Sequence, residues 1–434
     1  MKNPAITDLK SLIMIFLIII VIMLFLDAYT FKGLKILLIN TSNTGIKRAI
    51  YITFWSVTAF MLLLVMGGYL LRSSTRNAAV FTWYYYLFGV FLVLYIPKIL
   101  FVTFHLTEDI IVGANWIIKK LYVYKPVVEG AVPISRTIFL SRIGIILATL
   151  PFLGFIWGMV KGRFNFRIES QKLTFPNLPE AFNGLKIVQI SDIHIGGFKG
   201  FQTRVEEAID MVNAQQPDII FFTGDLVNNF SEELDGWIPI LSRMNAKIGK
   251  YSILGNHDYG NYYRWTSETE KAENFRKIIE AHSKIGFQLL NNQSVTLSKN
   301  DEKMAIIGVE NWGHPPFPQY ADFKKASVNI ENIPFKILLS HDPDHWDAKI
   351  QGKTDVDLTL AGHTHGMQFG LKFAGMEWSP AKYKFRRWAG LYQEKNQYLY
   401  VNRGFGYIGY PGRLGMPPEI TVLELTNKEL EVNS

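Results

Sequence analysis

The sequence predicts an α/β domain of layered sheets covered by helices, preceded by a bundle of about four membrane-spanning helices. Three observations carry this prediction. Long apolar runs fill the first third of the 434 residues, short apolar runs alternate with amphipathic stretches after Phe164, and charged residues make up only 19% of the chain. Since a soluble domain usually carries about 25% charge, part of the chain is expected to contact lipid.

Composition limits the chemistry that the chain can perform. It contains no cysteine, which excludes disulfides, thiolate metal sites and a cysteine nucleophile. The 45 basic and 37 acidic residues leave a formal net charge of +8. This charge favours an anionic partner, and nucleic acid, phospholipid headgroups and a phosphorylated substrate all remain open at this point.

Four apolar runs lie in a transmembrane region predicted to cover residues 1–163, and each approaches the roughly 20 residues that cross a bilayer. The predicted spans lie near residues 9–30, 49–71, 79–104 and 143–160. The first run is interpreted as a retained anchor and not a signal peptide, because it is long and no small-residue cleavage site follows it. Asp27 and Lys98 lie toward span ends, so their charged groups are expected to reach the polar interface.

Four spans place the N-terminus and the C-terminal region on the same side of the membrane. Basic residues flanking the spans are slightly fewer on that side, which favours a C-terminal region facing away from the cytoplasm. Residues 109–124 mix apolar and basic side chains between the third and fourth spans. This pattern predicts a separate helix lying in the membrane interface, with a short soluble hairpin as the alternative.

Residues 164–434 are predicted to form a second domain. Short apolar runs ending in Gly, Asp, Asn or His predict strands, and amphipathic stretches predict helices. The predicted strands are 185–193, 218–226, 251–254, 287–297, 304–309, 335–340, 356–360, 398–402 and 420–425, and the predicted helices are 201–214, 232–244 and 266–283. Early β-α alternation followed by strand-rich sequence indicates layered sheets covered by helices.

Polar residues follow several of these strands directly, at the edge where α/β folds assemble their sites. They are Asp192-Ile193-His194, Gly224-Asp225, Gly255-Asn256-His257-Asp258, His341 and Gly362-His363-Thr364-His365. Side chains two residues apart in an extended segment point the same way, so Asp192 and His194 can bind one ion together. Each group alone has a structural explanation as a turn or helix cap. Together they predict a metal site.

These motifs, taken in order, resemble the calcineurin-like metallophosphoesterase superfamily, whose pattern reads D-x-H, G-D, G-N-H-[DE], H and G-H-x-H. The resemblance covers roughly Lys172 to Leu425 and implies a four-layer α/β/β/α sandwich. It implies one metal ion bound by Asp192, His194, Asp225 and His365, and a second bound by Asp225, Asn256, His341 and His363. It also implies that His257 stabilises the transition state or protonates the leaving oxygen, with Asp258 orienting it.

The residue types agree with this implied chemistry. Carboxylate, imidazole and amide oxygen without thiolate favour divalent Mn, Fe, Zn or Mg. Two such ions about 3.5–4 Å apart, bridged by Asp225, would hold a hydroxide that attacks phosphorus in line. Charge on the non-bridging oxygens would be neutralised by the same ions.

The resemblance is greatest to a membrane-associated branch that ends in an Arg-Gly turn and a Pro-Glu-Ile strand, here Arg403-Gly404 and Pro418-Glu419-Ile420. Some members of that branch act on lipid-linked substrates, including hydrolysis of UDP-2,3-diacylglucosamine pyrophosphate. Arg403 is expected to contact the substrate phosphate, with a structural salt bridge as the alternative. Residues 366–397 are dense in aromatic and basic side chains, which favours a lipid interface over nucleobase stacking. Packing of this stretch on the domain is equally open.

The sequence therefore predicts an integral membrane phosphoesterase with two divalent metal ions, acting on a phosphoester or pyrophosphate bond of a lipid or lipid-linked substrate. The alternatives are a phosphodiesterase for soluble nucleotides or other small esters, and a non-catalytic membrane sensor with the same fold. Nucleic acid is not expected as a partner, because no helix-turn-helix or zinc module accompanies the site. No protein partner is evident.

The remaining histidines are assigned structural positions. His345 is predicted to cap the following helix, and His282 to lie on a helix surface. His105 is predicted at a span end. His314 is predicted to belong to a loop, with the cleft as the alternative.

Overall fold

The structure is a computed structural model that describes residues 4–71, 78–121, 136–315, 317–373 and 376–428. The chain divides into two compact units, Met1–Trp157 and Gly158–Ser434. This division falls within the fourth helix, so the boundary predicted between residues 163 and 164 stays a prediction.

The first unit consists of long apolar helices. They are α1 (Pro4–Leu37), α2 (Thr44–Leu71), α3 (Ala78–Leu121) and α4 (Arg136–Val160). Four stretches are long and apolar enough to cross a membrane: Ile13–Leu37, Thr44–Gly68, Trp83–Ile118 and Phe139–Phe164. Helices that expose apolar side chains along their whole length suit a lipid environment. The predicted bundle of about four membrane-spanning helices is confirmed.

The third helix is longer than predicted. Residues 109–121 continue α3 without a break, so the predicted separate interfacial helix is wrong, and residues 122–124 lie outside the described residues. No helix-breaking residue separates the two segments. Thr103 and Thr107 instead donate hydroxyl hydrogen bonds to carbonyls four residues earlier, at 2.9 and 2.8 Å, and these bonds are compatible with a continuous helix.

Asp27 and Lys98 do not reach the polar interface as predicted. Asp27 is fully buried, accepts a hydrogen bond from Tyr95 Oη at 2.9 Å and forms an ion pair with Lys98. A carboxylate within the apolar region is costly unless it is paired. Tyr95 and Lys98 lie three residues apart on one face of α3, where they supply a donor and a compensating charge.

His105 is likewise inside the helical unit and not at a span end. Its side chain is buried, and its Nε2 lies 3.1 Å from the Ser141 hydroxyl of α4. A hydrogen bond across two membrane-spanning helices satisfies both polar groups away from water.

The described residues of the second unit form two six-stranded sheets and a two-stranded hairpin. The strands are β1 (Arg167–Thr174), β2 (Leu185–Ile190), β3 (Ile219–Phe222), β4 (Gly249–Ser252), β5 (Gln288–Leu289), β6 (Gln293–Lys299), β7 (Glu302–Gly308), β8 (Lys336–Leu339), β9 (Leu358–Ala361), β10 (Leu371–Phe373), β11 (Met376–Trp378), β12 (Gly390–Glu394), β13 (Gln397–Val401) and β14 (Glu419–Thr426). The first sheet has the order β1-β14-β2-β3-β4-β5 and the second β12-β13-β9-β8-β7-β6. The β10–β11 hairpin is separate.

The two six-stranded sheets pack face to face. Ile187 and Phe221 of the first sheet share a buried cluster with Ile306, Ile337 and Leu358 of the second. Because side chains alternate along a strand, neighbouring residues point to the outer faces, where helices cover them. The remaining helices are α5 (Gln202–Ala214), α6 (Ile238–Leu241), α7 (Glu268–Ile285) and α8 (Phe323–Ala326).

The helices complete four layers. Val188 and Ile220 on the outer face of the first sheet pack in one cluster with Ile209 of α5 and Ile278 of α7. On the outer face of the second sheet, Leu338 shares a cluster with α8 and with the turn at residues 346–350. The α/β/β/α architecture is therefore confirmed.

Several elements differ from the prediction. The predicted strand 287–297 is two strands, because Asn292 between them has a left-handed φ of 50°. The predicted helix 232–244 shrinks to a 3-10 turn at Ser231–Leu234 and the short α6, since Gly236 adopts a φ of 79°. Strands β1, β10, β11 and β12 were not predicted. Their mixed or short apolar patterns carry little strand signal.

Candidate metal centre

The polar motifs converge at the carboxyl ends of strands from both sheets. Asp192 and His194 follow β2, Asp225 follows β3, Asn256 to Asp258 follow β4, His341 follows β8, and His363 and His365 follow β9. Strands β2, β3 and β4 run parallel, as do β8 and β9. Parallel strands end at the same edge of a sheet, so the loops after them gather in one place.

A first group of potential ligands contains Asp192, His194 and His365, all of them buried. His365 Nε2 lies 3.2 Å from Asp192 Oδ1 and 3.1 Å from His194 Nε2. Two histidines and a carboxylate directed at one point are a ligand set typical of a divalent transition metal.

A second group contains Asp225, His341 and His363, joined by the side-chain oxygen of Asn256. Asn256 Oδ1 lies 3.0 Å from His341 Nε2 and 2.8 Å from His363 Nδ1. In each group one atom from every acidic or histidine residue lies within 4.8 Å of the others. Either group could hold one ion.

Asp225 faces both groups. Its Oδ2 lies 3.5 Å from His194 Nε2 and 3.3 Å from His341 Nε2. The other oxygen, Oδ1, accepts the backbone N–H of His257 at 2.8 Å. That hydrogen bond fixes the carboxylate so that one oxygen lies between the two groups.

The hydrogen bonds around the site determine which atoms present lone pairs to it. His341 Nδ1 donates to the Thr223 carbonyl at 2.7 Å, so its Nε2 is the ring atom that faces Asp225 and Asn256. Asn256 Nδ2 donates to the Tyr262 hydroxyl at 2.7 Å, which directs Oδ1 inward. Imidazole nitrogen, carboxylate oxygen and amide oxygen thus converge as acceptors, and this donor set fits a divalent cation.

The pKa values reflect this convergence of acceptors in a buried place. Burial alone would lower the pKa of His341, but the Asp225 carboxylate outweighs it and raises the pKa to about 10. The ring therefore holds a proton that a bound cation would replace. Burial would raise the pKa of Asp225, and the neighbouring His341 and His257 lower it well below its ordinary value. Burial lowers the pKa of His194, His363 and His365, which favours the neutral imidazole that binds metals.

The backbone at the site is unusual. Asp192, His194, Asp225, His363 and His365 all have φ between 46° and 70°, in the left-handed region. Such conformations cost on the order of 1 kcal/mol or more each, and they cluster at functional sites. This strain indicates that the loops are shaped for the placement of their side chains.

Two glycines allow the loops to approach the carboxylates closely. A Cβ at Gly255 would lie 2.2 Å from Asp225 Oδ1, and a Cβ at Gly362 would lie 2.3 Å from Asp192 Oδ2. Any side chain at these positions would displace a potential ligand. The motifs therefore require glycine at these two positions for steric reasons.

Asp258 does not orient the His257 ring as expected. The buried Asp258 carboxylate instead accepts backbone N–H groups from Asp225, Leu226, Val227 and Gly255 at 2.8 to 3.3 Å. The His257 ring is held by its Nδ1, which lies 2.8 Å from the Asn228 carbonyl, and by stacking on Tyr262 at 4.3 Å. Asp258 thus holds together the loops after β3 and β4.

Arg403 is engaged in a structural salt bridge, the alternative to the predicted substrate contact. Its guanidinium donates to Glu419 at 2.6 Å and to Glu377 at 2.9 Å, and the side chain is almost fully buried. The nearby Arg413, which the motifs did not indicate, is also buried, and its Nη2 lies 3.1 Å from His365 Nδ1.

A cavity of about 340 Å³ opens beside the second group. Its lining includes Asn256, Tyr262, Phe317, His363, Lys384 and Phe385. His314 also lines it, and its Nε2 donates to the Asp344 carboxylate at 2.8 Å, so the cleft position, the less favoured alternative, is the one observed. No spacing signal in the sequence indicates Tyr262, because its role depends on a turn that brings its ring over His257.

Two further histidines differ from their predicted positions. His282 is buried, not on the helix surface, and its Nδ1 lies 2.9 Å from the Ser252 hydroxyl. Its spacing from the buried Ile278 and Ile285 is helical and could have indicated burial. His345 caps no helix through its side chain. It is buried against Trp312, with Nδ1 2.9 Å from Ser340 Oγ.

Two family models match separate parts of the chain. The family model described as "Calcineurin-like phosphoesterase" matches residues 185–367. The model described as "Probable Calcineurin-like phosphoesterase, transmembrane domain" matches residues 11–163.

Individual relatives agree with these matches. The uncharacterized metallophosphoesterase YkuE of Bacillus subtilis is 34% identical over 255 residues, covering 57% of this chain and 81% of the relative. A transmembrane protein with metallophosphoesterase domain from Bos taurus is 31% identical, and the match covers 57% of this chain and 54%, about half, of that protein. The UDP-2,3-diacylglucosamine pyrophosphatase LpxG of Chlamydia trachomatis is 30% identical, covering 57% of this chain and 86% of the relative.

The chain belongs to the calcineurin-like metallophosphoesterases. With its four candidate spans, it is a membrane protein that hydrolyses phosphoesters with the help of divalent metal ions.

Proposed function

We propose that the protein hydrolyses a phosphoester or pyrophosphate bond in a lipid or lipid-linked substrate, using two divalent metal ions. The observation that carries this proposal is the position of Asp225, whose Oδ2 faces His194 in one group and His341 in the other. A carboxylate shared between two ligand sets is the arrangement that a two-metal phosphoesterase requires.

The proposed ligands follow from the two groups. Asp192, His194 and His365 would hold one ion, Asn256, His341 and His363 the other, and Asp225 both. When bound, such ions lower the pKa of a water molecule and neutralise charge on the phosphate oxygens. Mn, Fe, Zn and Mg all suit these ligands.

His257 is proposed as the catalytic residue that carries a proton to the leaving oxygen. Its Nδ1 donates to the Asn228 carbonyl, which leaves Nε2 as the ring atom that can hold the transferred proton. The stack on Tyr262 and the edge contact with His194, at 4.3 and 5.0 Å, keep the ring beside the proposed ions. Asp258 acts as a positioning residue through the backbone of the two loops.

A lipid or lipid-linked substrate is supported by three features. The chain carries four candidate spans, the cavity beside the site has aromatic walls, and LpxG relatives are named for a diacylated pyrophosphate substrate. The orientation of the catalytic unit away from the cytoplasm stays a prediction from the flanking charges.

The test is hydrolysis by the purified full-length chain with added Mn²⁺. Bis-p-nitrophenyl phosphate, a cyclic nucleotide and UDP-2,3-diacylglucosamine in mixed micelles are compared. We expect turnover of the lipid-linked pyrophosphate, and we expect His257→Ala to lose about 10²–10⁴-fold in kcat while it keeps its bound metal.

His282→Gln, assayed at pH 8, is the control for loss of a buried histidine outside the site. Equal loss of metal and turnover in His257→Ala would contradict its catalytic role. Preference for the soluble esters would favour the soluble phosphodiesterase. Metal binding by folded protein without turnover of any ester would favour the sensor.

A further inference from the structure

Four large apolar side chains stand out from the surface of the second unit. Leu371, Phe373, Met376 and Tyr383, here called the apolar patch, expose 61%, 77%, 71% and 76% of their area. Apart from Val160 at the end of α4, which exposes 62%, the other large apolar residues described in this unit expose 55% or less and are scattered. Exposed apolar side chains grouped in this way indicate an interaction surface.

The patch is held together by the β10–β11 hairpin. Phe373 pairs with Met376 across the hairpin, and Leu371 pairs with Trp378. The Trp378 indole in turn donates to the Tyr383 hydroxyl at 3.4 Å. The four apolar residues therefore form one surface.

Lysines flank the patch residues along the chain. Lys372, Lys382 and Lys384 are exposed, and none of them forms an ion pair with a carboxylate in the described part of the chain. The acidic residue of the hairpin, Glu377, is already engaged by Arg403 at 2.9 Å. Apolar and aromatic side chains flanked by uncompensated positive charge complement an anionic lipid surface.

The patch is continuous with the candidate metal centre. Lys384 and Phe385 line the cavity beside that centre, and the Phe385 ring lies 5.5 Å from the His363 ring. At the base of the hairpin, Ser379 Oγ donates to the Gly366 carbonyl at 2.7 Å, next to His365. A surface that contacts the patch is therefore close to the cavity.

We propose that the apolar patch inserts into the headgroup region of an anionic bilayer and presents the candidate metal centre to phosphates in that lipid surface. The second part rests on the proposed function, whereas the insertion itself does not. A bilayer is the occupant because the same chain carries four candidate spans, which hold the patch near a membrane at high effective concentration.

The insertion is tested with a nitroxide attached to Phe373→Cys in full-length protein reconstituted into vesicles. Because the chain has no cysteine, this thiol is the only one in the variant. The matched control is Val328→Cys, an exposed apolar position just after α8. Helix α8 contacts β6, and β6 and β12 are the two opposite edge strands of the second sheet.

In vesicles containing phosphatidylglycerol, the label at residue 373 is expected to collide with oxygen and to be protected from a nickel chelate. The label at residue 328 is expected to meet the chelate freely. Equal chelate access at the two positions, with and without phosphatidylglycerol, would overturn the insertion. The same result is expected if the natural partner of the patch is another protein.

The functional consequence is tested with the double variant Phe373→Asp/Met376→Asp. Hydrolysis of bis-p-nitrophenyl phosphate is expected to be unchanged, and turnover of the lipid-linked substrate in vesicles to fall about tenfold or more. Equal loss on both substrates, or no loss on either, would contradict the proposal. If the wild-type chain cleaves neither substrate, the proposed function fails while the nitroxide result still decides the insertion.

Discussion

Buried polar groups are satisfied differently in the two units. In the helical unit the Asp27 carboxylate meets the Tyr95 hydroxyl and the Lys98 ammonium, so acceptor and donors match. In the phosphoesterase unit Asp225 and His341 are buried beside the Asn256 amide oxygen, and a proton on His341 balances the Asp225 charge when no cation is bound. The first cluster is complete within the protein, whereas the second fits a bound cation. A mismatch of donors and acceptors, more than burial itself, distinguishes a candidate ligand site from a structural pair.

The largest effect on stability is expected from breaking the matched pair. Lys98→Met leaves the Asp27 charge buried without compensation, and we expect the free energy of unfolding to fall by about 3 kcal/mol. Unfolding of the full-length chain by SDS in mixed micelles measures this change.

The double variant Asp27→Asn/Lys98→Met is the control, because it removes both charges together. It is expected to recover most of the lost stability. Single and double variants that differ by about 0.5 kcal/mol or less would show that the pair behaves like an exposed salt bridge, and the contrast between the two units would then be lost.

A smaller effect is expected when the acceptor that orients Asn256 is removed. Tyr262→Phe keeps the ring stacked on His257 but deletes the hydroxyl that accepts from Asn256 Nδ2. We expect affinity for Mn²⁺ to fall by about 10- to 100-fold, as measured by calorimetric titration. Tyr383→Phe removes the hydroxyl of an exposed tyrosine and is the matched control. Equal Mn²⁺ affinity in both variants would remove Tyr262 from the support of the site.

The smallest effect concerns a buried histidine outside the site. Burial lowers the pKa of His282 to about 3, from an ordinary value of 6.5. The unfolded chain therefore binds the proton more readily. Above pH 6.5 the His282 ring is neutral in both the folded and the unfolded chain, so it does not reduce stability. The free energy of unfolding falls as the pH drops from 6.5 toward 3. At pH 5 this histidine lowers the free energy of unfolding by about 2 kcal/mol.

His282→Gln is expected to lack this part of the pH dependence. Denaturant unfolding of the full-length chain in detergent at pH 8 and pH 5 measures the difference. Parallel losses in the wild-type protein and the variant would mean that other groups cause the acid sensitivity.

The sequence was most informative where chemistry depends on adjacent residues. The motifs around Asp192, Asp225 and His363 were found because strand ends and glycines mark them, and the structure brings them together. Local sequence did not indicate that Asp27 on α1 would meet Lys98 on α3, because that contact joins residues far apart in the chain.

The same limit applies to the support of the site. The Thr223 carbonyl fixes the orientation of the His341 ring. Because this partner is a backbone group, the residue type at position 223 does not indicate it. Asp258 is predicted to orient its neighbour His257, but its carboxylate accepts backbone N–H groups of two loops. Residue type predicted the potential ligands, whereas the partners that orient them required the three-dimensional structure.

We propose above that Asp225 is shared by two metal ions. The most direct test is the metal content of purified full-length protein equilibrated with Mn²⁺, together with hydrolysis of bis-p-nitrophenyl phosphate. We predict two ions per chain in the wild type, about one or fewer in Asp225→Asn with an activity loss of about 10³-fold, and two in the exposed control Asp210→Asn. Two tightly bound ions in Asp225→Asn, or a single ion in fully active wild-type protein, would show that Asp225 does not bridge two ions.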